Sequence, residues 1–277
     1  MSQQRPDTRP APFVTLLTDY GWADEFVGVC HGVIAQICPQ ARVIDLSHGV
    51  PRQDVRAGAA LLHSALPYLP VGVHVAVVDP TVGAQRRAVA LELADGRLLV
   101  GPDNGLLWPA AAAAGGVVQA VEISDSPWCL RPISATFHGR DIFAPVAARL
   151  AAGEPLAQAG AALDPRLLVR LEFPPARLEG GTLVAVARAV DHFGNVTLAA
   201  GREDLPVGAG AVADVLLPGG RRVRLRVGRT FDDVAAGEAL LYEDASRSLA
   251  LAVNHGSAAA DLELSLGQEL RITPADA

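Results

Sequence analysis

The chain is poor in the features that settle a function quickly. Its 277 residues include only three cysteines, Cys30, Cys38 and Cys129. Their number is odd and no CxxC pair occurs, which excludes a disulfide framework and a four-cysteine zinc site. A chain of this length does not need staples, so the free thiols point to a reducing, cytoplasmic setting. No apolar run reaches the roughly 18–20 residues that a membrane helix needs, and no membrane partner is expected. HExxH, the GxSxG elbow, the P-loop and GxGxxG are all missing. The histidines are scattered without ligand spacing, so no metal site is expected. There is no basic tract and the net charge is −7, which argues against nucleic acid as a partner. The opening "MSQQRPDTRPAP" is polar and proline-rich with no apolar h-region, and reads as a frayed tail rather than a signal peptide.

What is present is apolar residues, at half of the total, enough for a large core. Up to about residue 170, strand and helix signals alternate. "PFVTLLTDYG" (12–21) reads as a buried strand ending in a turn, and "ARVIDLSHGV" (41–50) and "VHVAVVDP" (73–80) read as a second and a third strand. "EFVGVCHGVIAQIC" (25–38), "DVRAGAALLHSALPYL" (54–69) and "DIFAPVAARLAAG" (141–153) read as helices. "RAVALEL" and "GRLLVGPDNG" form a hairpin through "ADG". Such alternation implies an α/β fold with a largely parallel central sheet, whose ligands bind beyond the carboxyl ends of the strands. Asp19, Asp45 and Asp79 stand at or near those ends.

The Pro- and Gly-rich "LEFPPARLEGG" (171–181) marks a change of composition. The expected organisation is an α/β domain over 12–172, a linker over 173–180 and a second domain over 181–274. Short strand signals with regular turns, "LPGGRR" among them, read as a small β-barrel or sandwich.

Four polar clusters could carry chemistry, and each also has a structural reading. Asp19 in "LLTDYGWADEF" is either an Asx-turn or cap, or a carboxylate able to accept both hydroxyls of a ribose. Asp79 and Arg86 in "VVDPTVGAQRR" are either a salt bridge or reactive groups at a strand exit. His138 in "SATFHGRDIFAP" stands before a helix start, with Asp141 placed to cap that helix. Asp191 and Asn195 in "AVDHFGNVTL" are either ordinary turn residues or recognition groups for an amino group or a base edge.

Taken together and in order, "TDYG", "DLSHGVPRQDVRAGA", "VVDPTVGAQRR", "VGPDNGLL", "TFHGRDIFAP", "DHFGNVT" and "LAVNHGSAA" resemble the S-adenosyl-L-methionine (SAM) hydroxide adenosyltransferases, over about residues 12–270. SAM-dependent fluorinating and chlorinating enzymes are relatives of that family. The resemblance implies an N-terminal α/β domain followed by a C-terminal β-barrel. It implies a homotrimer whose sites lie between subunits, and SAM as substrate with no cofactor and no metal. Water or hydroxide attacks the ribose C5′ and releases adenosine and L-methionine. By position, Asp79, Arg86 and His138 match the family's water-activating triad. Asp19 matches the ribose ligand, Asp191 the ligand of the substrate's amino group, and Asn195 a contact to the adenine edge. Ser246 and Arg247 fall where relatives contact the methionine carboxylate.

Two positions depart from the family pattern. Thr81 stands where a glycine is usual, and a threonine at positive φ would be strained. Gln53 lies where a fluorinating relative has a tryptophan. Halogenating relatives carry tyrosine in place of Asp79 and lack the histidine; a carboxylate repels a halide at short range, which favours hydroxide. The alternatives are a halogenase forming 5′-chloro-5′-deoxyadenosine and a non-catalytic adenosine-binding module. Which of Asp79 and His138 is the base stays open at the level of sequence.

Overall fold

The computed structural model describes residues 12–275. The chain divides into two compact units, one ending at Leu171 and the other beginning at Glu172. The expected frayed tail covers residues 1–12, of which all but Pro12 lie outside the described residues.

The first unit runs β1 (Phe13–Thr18), α1 (Phe26–Ile37), β2 (Arg42–Ser47), α2 (Val55–Ala65), β3 (Val73–Val77), β4 (Ala88–Leu93), β5 (Leu98–Pro102), α3 (Trp108–Ala113), β6 (Val117–Glu122), α4 (Ala144–Ala151) and β7 (Ala161–Leu163). They form one sheet in the order β2-β1-β3-β5-β4-β6-β7. The strands β2, β1, β3 and β5 pair in parallel, while β4, β6 and β7 join antiparallel on one side.

Alternation along the strands builds a core on each face, because successive side chains point to opposite sides. Val14 and Leu16 of β1 and Val73, Val75 and Val77 of β3 pack with Val33 and Ile34 of α1 and Val146 and Ala147 of α4. Leu17 and Ala76 face the other way, onto Ala59 and Leu62 of α2 and Ala110 and Ala111 of α3. Both faces are covered, so the strands read as continuous apolar runs.

Two elements differ from the sequence expectation. The helix α3 lies in "LWPAAAAAGG", where alanines on every side leave no apolar stripe to detect. The helix expected over 141–153 begins instead as a π-helical turn, Gly139–Phe143, before α4. Pro145 has no N–H to donate to the Asp141 carbonyl four residues back. That carbonyl accepts from the Leu130 backbone N–H at 2.8 Å instead, which ties the segment before His138 to the helix.

The second unit holds β8 (Arg177–Glu179), β9 (Thr182–Val190), β10 (Val196–Gly201), β11 (Val212–Leu216), β12 (Arg222–Val227), β13 (Ala239–Glu243), β14 (Ser248–Val253), the short α5 (Ala258–Asp261) and β15 (Glu269–Pro274). Pairing of β9 with β10 closes the sheet, leaving β8 outside a seven-stranded barrel. Closure removes two exposed edges and decides between the barrel and sandwich readings. Ala213, Val215, Leu225 and Val227 face the barrel core, while Arg222, Arg224 and Arg226 alternate outward.

His74 is wholly buried in β3, its Nδ1 3.0 Å from the Thr15 hydroxyl. Burial pushes its imidazole down to about 4, with the charge of Arg97 adding. An unfolded histidine takes up its proton near pH ~6.5, so between about 6.5 and about 4 the unfolded chain binds a proton that the folded chain does not. This part of the stability is full above that window and falls by up to about 3 kcal/mol across it. Urea unfolding at about pH 7 and about pH 4.5 is expected to show a larger acid loss in the wild type than in His74→Gln, by about that amount.

Candidate active site

The parallel pairing of β1 with β3 places Thr18 opposite Val77. Asp19 and Asp79 therefore leave neighbouring strands at the same sheet edge, where an α/β fold offers its ligand site. From Asp79 the chain turns back through Gly83 to Arg86. The Val82 N–H donates to the Asp79 carbonyl at 3.3 Å and the Ala84 N–H to the Thr81 carbonyl at 3.0 Å. Positive φ in this turn falls on Gly83 (+79°) and not on Thr81. The expected strain at Thr81 is absent, because the left-handed residue is two positions further on. Thr81 instead points its hydroxyl at Asp79 Oδ1, 3.4 Å away.

Arg86 donates from Nε to Asp79 Oδ2 at 2.8 Å, and from Nη2 to the same oxygen. Its Nη2 also lies 2.7 Å from His138 Nδ1. The side chains of Arg86 and Asp79 are only 8% and 4% exposed, so the pair is held out of water. Below it, the guanidinium stacks over Phe143 at 5.4 Å. A guanidinium only donates, so His138 Nδ1 must accept, and the imidazole is neutral with its proton on Nε2. Burial lowers the His138 imidazole below its ordinary value, and the adjacent Arg86 charge lowers it further, against opposing pulls from Asp79, Asp141 and the Ser134 backbone.

His138 is held by its neighbours in sequence. Asp141 is 2% exposed and does not cap the helix that follows. Its Oδ2 accepts from the Ser134 backbone N–H at 2.8 Å, and Arg140 grips both of its oxygens, at 2.6 and 2.9 Å. The Tyr20 ring packs edge-on against Phe137 with centroids 6.0 Å apart. Its hydroxyl presses so closely on Gly139 that a Cβ there would lie 2.3 Å from it. Burial pushes the Tyr20 hydroxyl up, with Cys30, Asp19 and Asp79 adding. On the far side, Asp19 Oδ2 accepts from the Gln53 backbone N–H at 2.9 Å.

The adjacent Arg87 is turned elsewhere. It meets Asp103 Oδ2 at 2.9 and 2.6 Å and the Leu167 carbonyl at 2.6 Å, while Asp103 Oδ1 accepts from the Val169 N–H at 2.8 Å. That network fastens the segment after β7 to the sheet. Asp45 lies within β2 rather than at its end, between His31 Nε2 at 2.9 Å and His48 Nε2 at 3.0 Å.

The barrel carries the remaining candidates on two turns. Asp191 Oδ1 accepts from the Phe193 and Asn195 N–H groups, each at 2.9 Å, and Oδ2 accepts from Asn195 Nδ2 at 2.7 Å. Gly194 (φ +82°) completes this turn, with Ser257 where a Cβ would point. Ser246 and Arg247 sit in the β13–β14 turn, organised by Asp244, which accepts from the Ser246 and Ser248 N–H groups and from the Thr197 hydroxyl at 3.0 Å. Arg247 adopts φ +65°. Burial pushes the Tyr242 hydroxyl up to about 12, and Asp191 and Asp244 add to the shift, so both turns lie within electrostatic reach of one phenol.

Sequence reading missed Tyr20, Asp244 and Tyr242. The "TDYG" tyrosine carried a positional signal, directly after a strand-end aspartate; Asp244 and Tyr242 carried none. Among the described residues, no group of three or more His, Cys, Asp or Glu side chains is arranged to hold a metal ion, and no helix is long and apolar enough to cross a membrane.

Two family models match the chain: the SAM hydroxide adenosyltransferase N-terminal domain over residues 14–160 and the C-terminal domain of the same family over 187–271. The chain is 54% identical over 267 residues to a Salinispora tropica protein named (R)-S-adenosyl-L-methionine hydrolase, covering 95% of this chain and 98% of that one. It is 30% identical over 293 residues to a fluorinase from an Actinoplanes species, covering 95% and 98%. Among solved structures, an uncharacterized conserved protein from Thermotoga maritima matches with a TM-score of 0.88 at 34% identity, covering 94% of this chain and 99% of that one.

The turn geometry separates two substitutions. A Cβ at Gly83 would sit 2.4 Å from the Ala135 carbonyl oxygen, at a φ that L-residues avoid. Gly83→Ala is expected to destabilise by about 2 kcal/mol or more and to loosen the segment that carries His138. Thr81→Gly relieves no strain and is expected to leave stability unchanged or lower it by up to about 1 kcal/mol. Thermal unfolding of both variants checks the contrast.

Proposed function

The chain belongs to the SAM hydroxide adenosyltransferase family, and from that membership we propose that it hydrolyses S-adenosyl-L-methionine to adenosine and L-methionine, with water or hydroxide attacking the ribose C5′. The observation that carries the reading is the hydrogen-bonded chain Asp79–Arg86–His138 at the exit of β3.

The substrate is a sulfonium, so its leaving group is a neutral thioether and needs no acid to expel it. What is scarce at neutral pH is a nucleophile. The C5′–O bond forms as the C5′–S bond breaks, and the electron pair of the latter goes to sulfur. The proton lost by water needs an acceptor. Two features favour Asp79 Oδ1 as that acceptor. Arg86 occupies only Oδ2, and the imidazole already accepts from Arg86 at Nδ1. In that tautomer His138 Nε2–H is a donor, suited with Arg86 to stabilising developing hydroxide. Attack of an anion on a cation loses charge, so a site that excludes bulk water favours it. Holding the oxygen in line with C5′–S supplies proximity.

Asp19 takes the ribose hydroxyls in this reading. Asp191 takes the substrate's amino group, Asn195 the adenine edge, and Ser246 with Arg247 the methionine carboxylate. The engagement of Asp191 by its own turn leaves it further acceptor capacity, since each carboxylate oxygen has two lone pairs. The functional unit is a homotrimer, in which the α/β unit of one subunit and the barrel of the next supply the two parts of each site. The reaction as written needs no metal and no cofactor, and a cytoplasmic setting suits three unpaired cysteines. The Salinispora relative's name supports the R sulfonium epimer as the preferred substrate.

Incubation with each sulfonium epimer of SAM in chloride buffer, with products resolved by chromatography, is expected to give adenosine and methionine, faster from the R epimer and undiminished by chelator. 5′-Chloro-5′-deoxyadenosine as main product, or no product, overturns the reading. Asp79→Ala, Arg86→Ala and His138→Ala are each expected to lower kcat by about 10²-fold or more with smaller changes in KM, and Asp19→Ala mainly to raise KM. Because burial depresses the His138 imidazole below its ordinary 6.5, the neutral form persists to lower pH. The acid limb of kcat/KM due to this group is therefore expected below that value, and the profile measures it.

A further inference from the structure

A second polar network lies behind the site. Thr18, the last residue of β1, and His48, just after β2, are both buried at 4% and 1% exposure. The Thr18 hydroxyl lies 2.8 Å from His48 Nδ1 and also accepts from the Tyr20 backbone N–H at 3.1 Å. His48 Nε2 lies 3.0 Å from Asp45 Oδ1, which His31 Nε2 approaches at 2.9 Å. One assignment of protons satisfies every member. Tyr20 N–H donates to Thr18, Thr18 O–H donates to His48 Nδ1, and His48 Nε2–H donates to a carboxylate that has no proton to offer.

The backbone repeats the tie. The Gly21 N–H donates to the His48 carbonyl at 2.8 Å, and the Trp22 ring stands edge-on to the imidazole at 4.7 Å. Asp19, between Thr18 and Tyr20, accepts from Gln53 in the same β2–α2 loop. The 18–21 turn is thus held by its side chains and its backbone against one loop, and His48 is the residue common to most of these contacts. Such outer contacts set the direction of a ligand that they do not themselves touch.

We infer that His48 is a positioning residue: through Thr18 and the Gly21 N–H it fixes the turn that aims the Asp19 carboxylate at the ribose. The inference rests on the proposed role of Asp19. Because the hydrogen bonds of His48 run to Thr18, Asp45 and Gly21, on the Asp19 side of the site, it acts on binding more than on the chemical step.

Thr18→Val keeps the shape and removes the hydroxyl; His48→Leu removes both ring nitrogens; His48→Asn keeps an acceptor near the place of Nδ1. Thr18→Val and His48→Leu are each expected to raise KM for SAM and Kd for adenosine by about tenfold, with kcat within about threefold of wild type. The double variant is expected to lose less than the sum of the two singles, since both remove the shared Thr18–His48 contact while each also removes one of its own, to the Tyr20 N–H or to Asp45. His48→Asn is expected to recover most of the binding. Unmoved KM and Kd in folded Thr18→Val, additive losses, or no recovery in His48→Asn overturns the inference. Should wild type release no adenosine from SAM, the hydrolase reading fails by itself, and calorimetric adenosine binding to the variants still decides the role of His48.

Discussion

A guanidinium has five N–H donors and no acceptor, and much of this site follows from where that one-way group is placed. Arg86 faces Asp79 on one side and the His138 imidazole on the other. The first contact is an ion pair out of water; the second forces a neutral ring with its proton on the outer nitrogen. Buried pairs of this kind tolerate no loose geometry, because a charge left alone there is far costlier than one in solvent. The surroundings accordingly serve to hold the three groups. Gly83 lets the strand exit fold back on itself, Asp141 locks the segment before His138, and Tyr20 presses on Gly139 from the neighbouring strand end.

The same residue types do different work a few ångströms away. Arg87 follows Arg86 in the chain and also meets a buried aspartate, yet its partners tie a loop to the sheet. Adjacent residues entering a strand point to opposite faces, so the two guanidinium groups part at the same sheet edge, Arg86 meeting Asp79 beyond β3 and Arg87 meeting Asp103 beyond β5. An Asp–Arg pair in isolation therefore carries no functional information; the third partner does. For Arg86 that partner is a neutral imidazole, for Arg87 a backbone carbonyl.

Much of the architecture was legible in the order of apolar runs. Strands β1 and β3 and helices α1 and α2 follow from periodicity, because a strand covered on both faces must be apolar throughout and an amphipathic helix must alternate; β2, the half-buried strand at the sheet edge, mixes apolar and polar residues and is marked by its β-branched pair Val43 and Ile44. α3 was illegible, since a run of alanines has no face. The π-helical turn before α4 looks like ordinary helix in the sequence, because its cause is the absence of an N–H at Pro145 combined with a distant donor at Leu130. In the barrel, strand and turn signals were plain, but closure depends on β9 meeting β10 around the ring and leaves no local trace. Candidate residues in the first unit were found as strand-end polar groups; Tyr242 and Asp244, which surround the barrel turns, look in sequence like any half-buried strand and turn residues.

By itself the sequence determined the α/β-then-β organisation, the strand exits that present Asp19 and Asp79, and an ordered set of motifs that assigns the family. Those features are local in the chain, and local pattern suffices for them. Only the tertiary structure decided how Arg86 bridges Asp79 and His138, that Thr81 escapes positive φ, and which tautomer the imidazole holds. It alone also decided that Thr18 and His48 meet behind Asp19. Each of these depends on side chains brought together from separate strands and loops, and a hydrogen bond has a direction and a length that spacing along a chain does not encode.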